Sequence, residues 1–83
     1  MYVVYILVSE KSGRYYVGHS NDIEERVKTH NAGKVNSTRN KGPWKVVYIE
    51  KYDTKLKANR RELGIKKQKS KKYIEFLIHN TRK

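Results

Sequence analysis

The chain contains no cysteine. That excludes a disulfide framework and any cysteine-based metal site, and it fits a reducing compartment. It also has no apolar run near the roughly 20 residues that a helix needs to cross a bilayer. The first strand-like run begins at Tyr2, which leaves no room for a signal peptide. The expectation is an intracellular protein, cytoplasmic or nucleoid-associated, that makes no use of a membrane. Acidic residues are scarce too: Asp and Glu number 8 against 20 Lys and Arg, for a formal net charge of +12 and a pI near 10.0. An excess of that size on a small domain predicts a polyanionic partner. Nucleic acid is the leading candidate. An anionic membrane surface fits less well, because no strongly amphipathic basic helix stands alone. With 83 residues the expectation is one domain, spanning 1–83, with a core that is small for its surface.

What is present is organised around Tyr2 to Gly18. The run YVVYILV is followed by a polar turn, SEKSGR, and then by YYVG. Such β-branched and aromatic density over seven residues suits a strand buried on both faces. Ser12-Gly13 supplies a residue able to take positive φ, so the two runs read as a hairpin. A two-residue loop at Glu10-Lys11 sets Tyr5 opposite Tyr16. A four-residue loop, Glu10 to Gly13, sets Tyr5 opposite Gly18 and Leu7 opposite Tyr16. Both put Tyr5 and Tyr16 on one face with Gly18 beside them. Val4, Ile6, Val8, Tyr15 and Val17 take the other face as a plain core. Tyrosines favour strands in any case, so the pair of phenols does not by itself require a function.

Further along, Asn21 and Glu24 form a capping-box arrangement for a helix running to about Ala32, with acidic residues in its first turn. Asn31-Ala32-Gly33 supplies its stop. Arg26 and His30 share a face of that helix, at the edge of a thin stripe of Ile23, Val27 and Ala32. Lys34 to Pro43 is a polar loop of about ten residues, a length often functional in small domains. Thr38, Arg39 and Lys41 in it suit phosphate oxygens, through a hydroxyl and two cations, or else simply face water. Trp44 to Tyr52 reads as a third strand. Asp53-Thr54 caps a second helix running to about Lys69, whose apolar positions are Leu56, Ala58, Leu63 and Ile65. Glu62 falls along that stripe, where an unpartnered carboxylate is expensive. Arg60, Arg61 or Lys66 can neutralise it, and a divalent cation is the functional alternative. Ser70 caps a last helix with Tyr73, Ile74, Leu77 and Ile78 as its stripe, widened by Phe76. Lys66, Lys67, Lys69, Lys71 and Lys72 gather charge at the junction of the two helices.

Taken in order, VVYIL, YYVGHSNDIEERV, HNAGK, STRNKGP and NRRELGIK resemble the GIY-YIG nuclease superfamily, and most of all its small stand-alone members. The resemblance covers nearly the whole chain. Valine stands where GIY has its glycine, while Tyr5 is kept. The resemblance implies an α/β (α+β) fold in which a three-stranded antiparallel sheet is flanked by about three helices. It also implies metal-dependent endonuclease hydrolysis of DNA phosphodiester bonds. Tyr5 and Tyr16 match the two motif tyrosines, Arg26 the helix arginine, His30 the residue one turn later, and Glu62 the metal ligand. Gly18 keeps the backbone close to the site.

The residue types agree with that chemistry. One Mg²⁺ or Mn²⁺ ion, held by one carboxylate, phosphate oxygens and waters, supplies a Lewis acid. Arg26 offers a planar donor fork suited to phosphate. A phenol, with pKa about 10, is normally too weak an acid to serve as a base. A neighbouring Arg26, a metal and the positive domain are expected to favour its phenolate. Tyr5 is the first choice as general base with Tyr16 orienting water or phosphate; the reverse assignment and a proton relay through His30 stay open. Lys66, Lys67 and Lys69 are expected to join Thr38, Arg39 and Lys41 in binding nucleic acid. The expected partner is DNA, branched or damaged DNA included, and repair is one setting that fits. A partner protein or a homodimer is compatible. The competing class is a basic nucleic-acid-binding module without catalysis, for which charge and tyrosines serve equally well. Such a module leaves a carboxylate on the apolar stripe of the second helix without a purpose.

Overall fold

Val3 to Leu7 alternate into two cores at once, and this decides the architecture. The computed structural model describes residues 1–80, so the last three residues of the expected 1–83 domain lie outside the described residues. Three strands, β1 (Tyr2–Ser9), β2 (Tyr15–Ser20) and β3 (Trp44–Tyr52), form an antiparallel sheet in the order β2-β1-β3. Helix α1 (Ile23–Asn31) lies on one face, and α2 (Lys55–Gln68) and α3 (Lys71–Asn80) on the other. The expected α+β fold, a three-stranded antiparallel sheet with three helices, is the observed one. Strand β1 is central, so Val4, Tyr5, Ile6 and Leu7 are all 0 % exposed.

The hairpin uses the four-residue loop. Tyr5 pairs with Gly18 and Leu7 with Tyr16. Gly13 takes φ +77°, and its N–H donates to the Ser9 carbonyl to close the turn. The Ser9 hydroxyl accepts from the N–H of Lys11 and of Ser12, then donates to the Lys41 carbonyl at 2.6 Å, which ties the turn to the loop before β3.

On the α2/α3 face, Val4, Ile6, Val17, Tyr48, Ala58, Ile65 and Leu77 form the larger core. It is closed by a polar clasp. Arg61 grips Glu50 with two hydrogen bonds, 2.8 and 3.0 Å, and the Tyr48 and Tyr52 hydroxyls donate to the same carboxylate. Burial raises the Glu50 carboxyl, but these bonds, Arg61 foremost, bring it below the usual carboxylate value. Burial, followed by the bond to Glu50, pushes Tyr48 up to about 12.

Three local expectations are corrected. The cap of α1 is Asp22, whose carboxylate accepts from the Glu25 N–H at 3.1 Å, one residue later than the Asn21–Glu24 pair. Asn and Asp cap equally well; the choice follows from Ser20, whose hydroxyl bonds the Asp22 backbone and sets where the chain turns. Leu56 and Leu63 are 58 % and 55 % exposed, so the buried stripe of α2 narrows to Ala58 and Ile65. Phe76 is likewise exposed, and Leu77 is the buried residue of α3. Short helices on a small sheet have room to bury only the residues nearest the strands.

Candidate active site

The α1 face of the sheet holds the smaller core, Tyr5, Leu7 and Trp44 with Val3, Tyr16, Ile23, Val27 and Val46 packed against it. Polar chemistry is embedded in it. The Tyr5 hydroxyl and His30 Nε2 are 2.9 Å apart, and His30 Nδ1 lies 2.8 Å from the Thr38 hydroxyl. Thr38 donates its proton to the Val35 carbonyl, so it accepts from His30 Nδ1–H, and Nε2 is left to accept from Tyr5. Burial, and then the charge of Arg26, lowers His30 to about 4, so the imidazole is neutral at physiological pH and the order of donors is self-consistent.

Glycine is required at 18. A Cβ there would stand 2.6 Å from Tyr5 Oη, 2.7 Å from Tyr5 Cζ and 3.1 Å from the Tyr16 ring. The Tyr5 side chain thus lies flat over the backbone of its partner strand, with its hydroxyl at the strand's edge. Tyr16 stands beside it, ring centroids 6.4 Å apart, and packs edge-on against His30 at 4.8 Å. Arg26, one turn before His30 on α1, bonds the Tyr5 hydroxyl and interacts with Tyr16.

Tyr5 is 0 % exposed whereas Tyr16 is partly open. Burial raises the Tyr5 phenol above its ordinary value, more than its bond to Arg26 lowers it. Of the influences expected to favour a phenolate, the Arg26 cation alone is outweighed at Tyr5 by desolvation. The phenol that meets solvent is Tyr16.

Glu62 lies on the α2 face of the sheet, beside β2. Its Oε1 is 2.5 Å from His19 Nδ1 and its Oε2 accepts from Lys66 Nζ at 2.6 Å. Lys66 Nζ also lies 5.7 Å from the centre of the Tyr16 ring. Glu62 is near enough for its charge to bear on Tyr5. His19, Arg26, Tyr2, Ser20, Asn21 and Lys55 line a pocket of ≈ 260 Å³ between α1 and the start of α2. Among the described residues no group of three His, Cys, Asp or Glu side chains converges. An all-protein cage is thus absent, and the one carboxylate suits an ion that keeps most of its ligands as water and phosphate oxygens, as Mg²⁺ does.

Tyr5, Tyr16, Gly18, Arg26 and His30 are therefore brought together from three separate stretches of chain, and Glu62, from a fourth, is linked to them through Lys66, whose ammonium meets both its carboxylate and the Tyr16 ring. Thr38 is near them but not as expected: it is 1 % exposed, and its hydroxyl is taken up by His30 and Val35. It positions His30 and has no atom free for phosphate. Trp44 holds it there, donating from its indole N–H to the Thr38 carbonyl at 3.1 Å. Arg39 is turned back onto the Gly33 carbonyl at 2.9 Å, Lys41 and Lys67 are exposed, and Lys69 is exposed in the groove that Tyr16 also lines. His19 was not singled out by sequence reasoning. Its signal was its place directly after Gly18, on the same face as Val17 at the sheet edge where α2 passes.

The family model described as the GIY-YIG catalytic domain matches residues 1–74. The chain is 44 % identical over 68 residues to a UPF0213 protein of Clostridium perfringens, covering 81 % of this chain and 72 % of that one. It is 37 % identical over 75 residues to the UPF0213 protein YazA of Bacillus subtilis, covering 86 % and 76 %. The solution NMR structure of a UPF0213 protein from Bacillus halodurans superposes with a TM-score of 0.57 at 33 % identity, covering 95 % of this chain and 84 % of that one. Two motif tyrosines on paired strands, with the arginine and glutamate helices on either side of them, carry the same conclusion as the match over nine-tenths of the chain: this protein belongs to the GIY-YIG family, a nuclease superfamily.

Proposed function

We propose that the protein is an endonuclease that hydrolyses DNA phosphodiester bonds with the help of one Mg²⁺ or Mn²⁺ ion at Glu62. The observation that supports this reading is the link at Tyr16, which interacts with Arg26 and lies 5.7 Å from Lys66 Nζ, itself bonded to Glu62. A bound divalent ion supplies a Lewis acid for the phosphoryl oxygens and the leaving oxygen. Glu62 would hold it through a carboxylate oxygen that is paired here with His19 or Lys66. Arg26 faces the phosphoryl oxygens with its donor fork.

Tyr16 orients the attacking water and takes its proton. It is the more open phenol, with Arg26 beside it and Lys66 over its ring; as base it acts in its phenolate form, ends as the neutral phenol, and the leaving oxygen takes its proton from water. Tyr5 is a positioning residue. Its buried hydroxyl, fixed by the neutral His30 and the Thr38 chain, gives Arg26 a rigid acceptor. The arrangement supports the reverse of the first-choice assignment, because a base must reach the water it deprotonates.

The test is cleavage of supercoiled and branched DNA with Mg²⁺ or Mn²⁺. Glu62→Gln and Tyr16→Phe are each expected to lower the rate at least 100-fold. Tyr5→Phe is expected to lower it less and to leave the metal dependence intact. Cleavage that survives both Glu62→Gln and Tyr16→Phe rejects this mechanism. DNA binding without any cleavage, unaffected by Glu62→Gln, favours the non-catalytic module.

A further inference from the structure

Beside Tyr16, on the side away from Arg26, a groove of ≈ 480 Å³ runs between the β1–β2 turn and the α2–α3 junction. We propose that this groove takes a single strand of nucleic acid leading away from the bond that is cut, with its phosphates on Arg14, Lys66, Lys69 and Lys71. The proposal rests on the nuclease reading above, because the groove begins at Tyr16 and Lys66 of the candidate active site.

Charge is the first support. Four cations line the groove, and among the described residues that line it there is no carboxylate. The nearest acids are already engaged: Glu75 accepts from the Tyr15 hydroxyl at 3.4 Å, and Glu62 is held by His19 and Lys66. Placement is the second. Lys69 sits in the left-handed region at φ +50°, where glycine is usual. Lys71 opens α3, whose first turn holds no acid, although acids are favoured there. Cations at positions that local stability disfavours are expected where a function requires them. The floor is the third. Tyr15, Val17, Ile65 and Ile74 make it apolar. A duplex presents only its phosphates to such a surface and gains nothing from an apolar floor. A single strand has both a charged backbone and open base faces, which matches cations on a rim over aromatic side chains. The Lys71 ammonium already lies 6.0 Å from the centre of the Tyr15 ring, so base face and phosphate would meet the same pair.

Binding of a fluorescent 12-nucleotide single strand, read by anisotropy in EDTA, tests this without any cleavage. The combined variant Arg14→Gln, Lys69→Asn, Lys71→Gln is expected to bind at least tenfold more weakly. Its slope of log affinity against log salt is expected to fall by about 2, since each phosphate contact on a single strand contributes about 0.7. A charge-matched control, Lys28→Gln, Lys45→Gln, Lys51→Gln, changes exposed residues of α1 and β3 and is expected to lose less than threefold. Unlabelled single strand is expected to compete better than duplex of equal length. Equal losses in the two variants, or duplex competing as well as single strand, overturn the proposal. All these substitutions are at exposed positions, and circular dichroism melting checks that the variants fold. Because no metal is present, loss of the groove leaves the cleavage result standing, and absence of cleavage leaves the groove result standing.

Discussion

The two faces of one small sheet are built on opposite terms. The α2/α3 face buries Val4, Ile6, Val17, Ile65 and Leu77, and keeps its polar clasp, Glu50 with Arg61, at the margin. The α1 face buries Tyr5, His30 and Thr38 in a continuous chain of hydrogen bonds, with Leu7 and Trp44 packed around them. A single strand, β1, supplies both faces by alternation. The difference teaches where this fold keeps its stability and where it keeps its chemistry. Apolar burial is non-directional and tolerates small shifts. A buried polar chain does not, since every donor needs its acceptor in place. The chain on the α1 face therefore acts as a rigid mount for Tyr5 and Arg26, while Glu62 stays with the other face, bonded to His19 and Lys66.

The contrast is broken most severely by removing volume from the apolar face. Ile6→Ala is expected to cost about 2–5 kcal/mol, measured by urea unfolding, because Ile6 is 0 % exposed and sits at the centre of the larger core. The polar face is expected to show itself instead through pH. His30 has a folded pKa of about 4 against an ordinary 6.5, so between these values the unfolded chain binds the extra proton. Stability is then expected to rise with pH across that window and to be lost as pH falls from 6.5 towards 4. At about 1.4 kcal/mol per unit the loss approaches about 3 kcal/mol. Urea unfolding of wild type and His30→Gln at pH 7 and pH 4 isolates it; identical pH dependence in the two proteins defeats the claim.

A smaller effect is expected where the two halves of the hairpin touch. Gly18→Ala drives a methyl against Tyr5 Oη and is expected to cost about 1–3 kcal/mol. It is expected to reduce cleavage further than the stability loss explains, since Tyr5 and Arg26 shift together. Full activity in a folded Gly18→Ala protein contradicts the mount described above. The smallest effect sharpens the contrast from outside it. Leu63→Ala lies on the side of α2 turned from the sheet, 55 % exposed, and is expected to change stability by no more than about 0.5 kcal/mol.

Much of this was legible beforehand. Strand β3 was expected over the residues it occupies, and α2 over nearly the same span with Thr54 as its cap. Caps, turns and periodicity are local signals. The pairing of phenols with Gly18 was legible as well, because side-chain alternation holds for either even loop. The hairpin register was not, since both loop lengths preserve that alternation and only packing of the turn, through Ser9 and the Lys41 carbonyl, selects one. Thr38 was misread because its loop shows no periodicity to tell a buried hydroxyl from an exposed one. Leu56, Leu63 and Phe76 were misread because an apolar residue on a helix does not reveal how wide the opposing surface is. His19 was missed because its place on Val17's face gains meaning only once α2 is known to pass there.

By itself the sequence determined the order of elements, the two-faced strand at the centre, the polyanionic partner expected from its charge, and the family, through motifs that lie in order along one line. The tertiary structure alone decided which phenol is buried and which is partly open, and that Glu62 meets His19 of β2 and is linked to Tyr16 through Lys66. Exposure and through-space charge depend on atoms distant in the chain, and no local pattern encodes those distances.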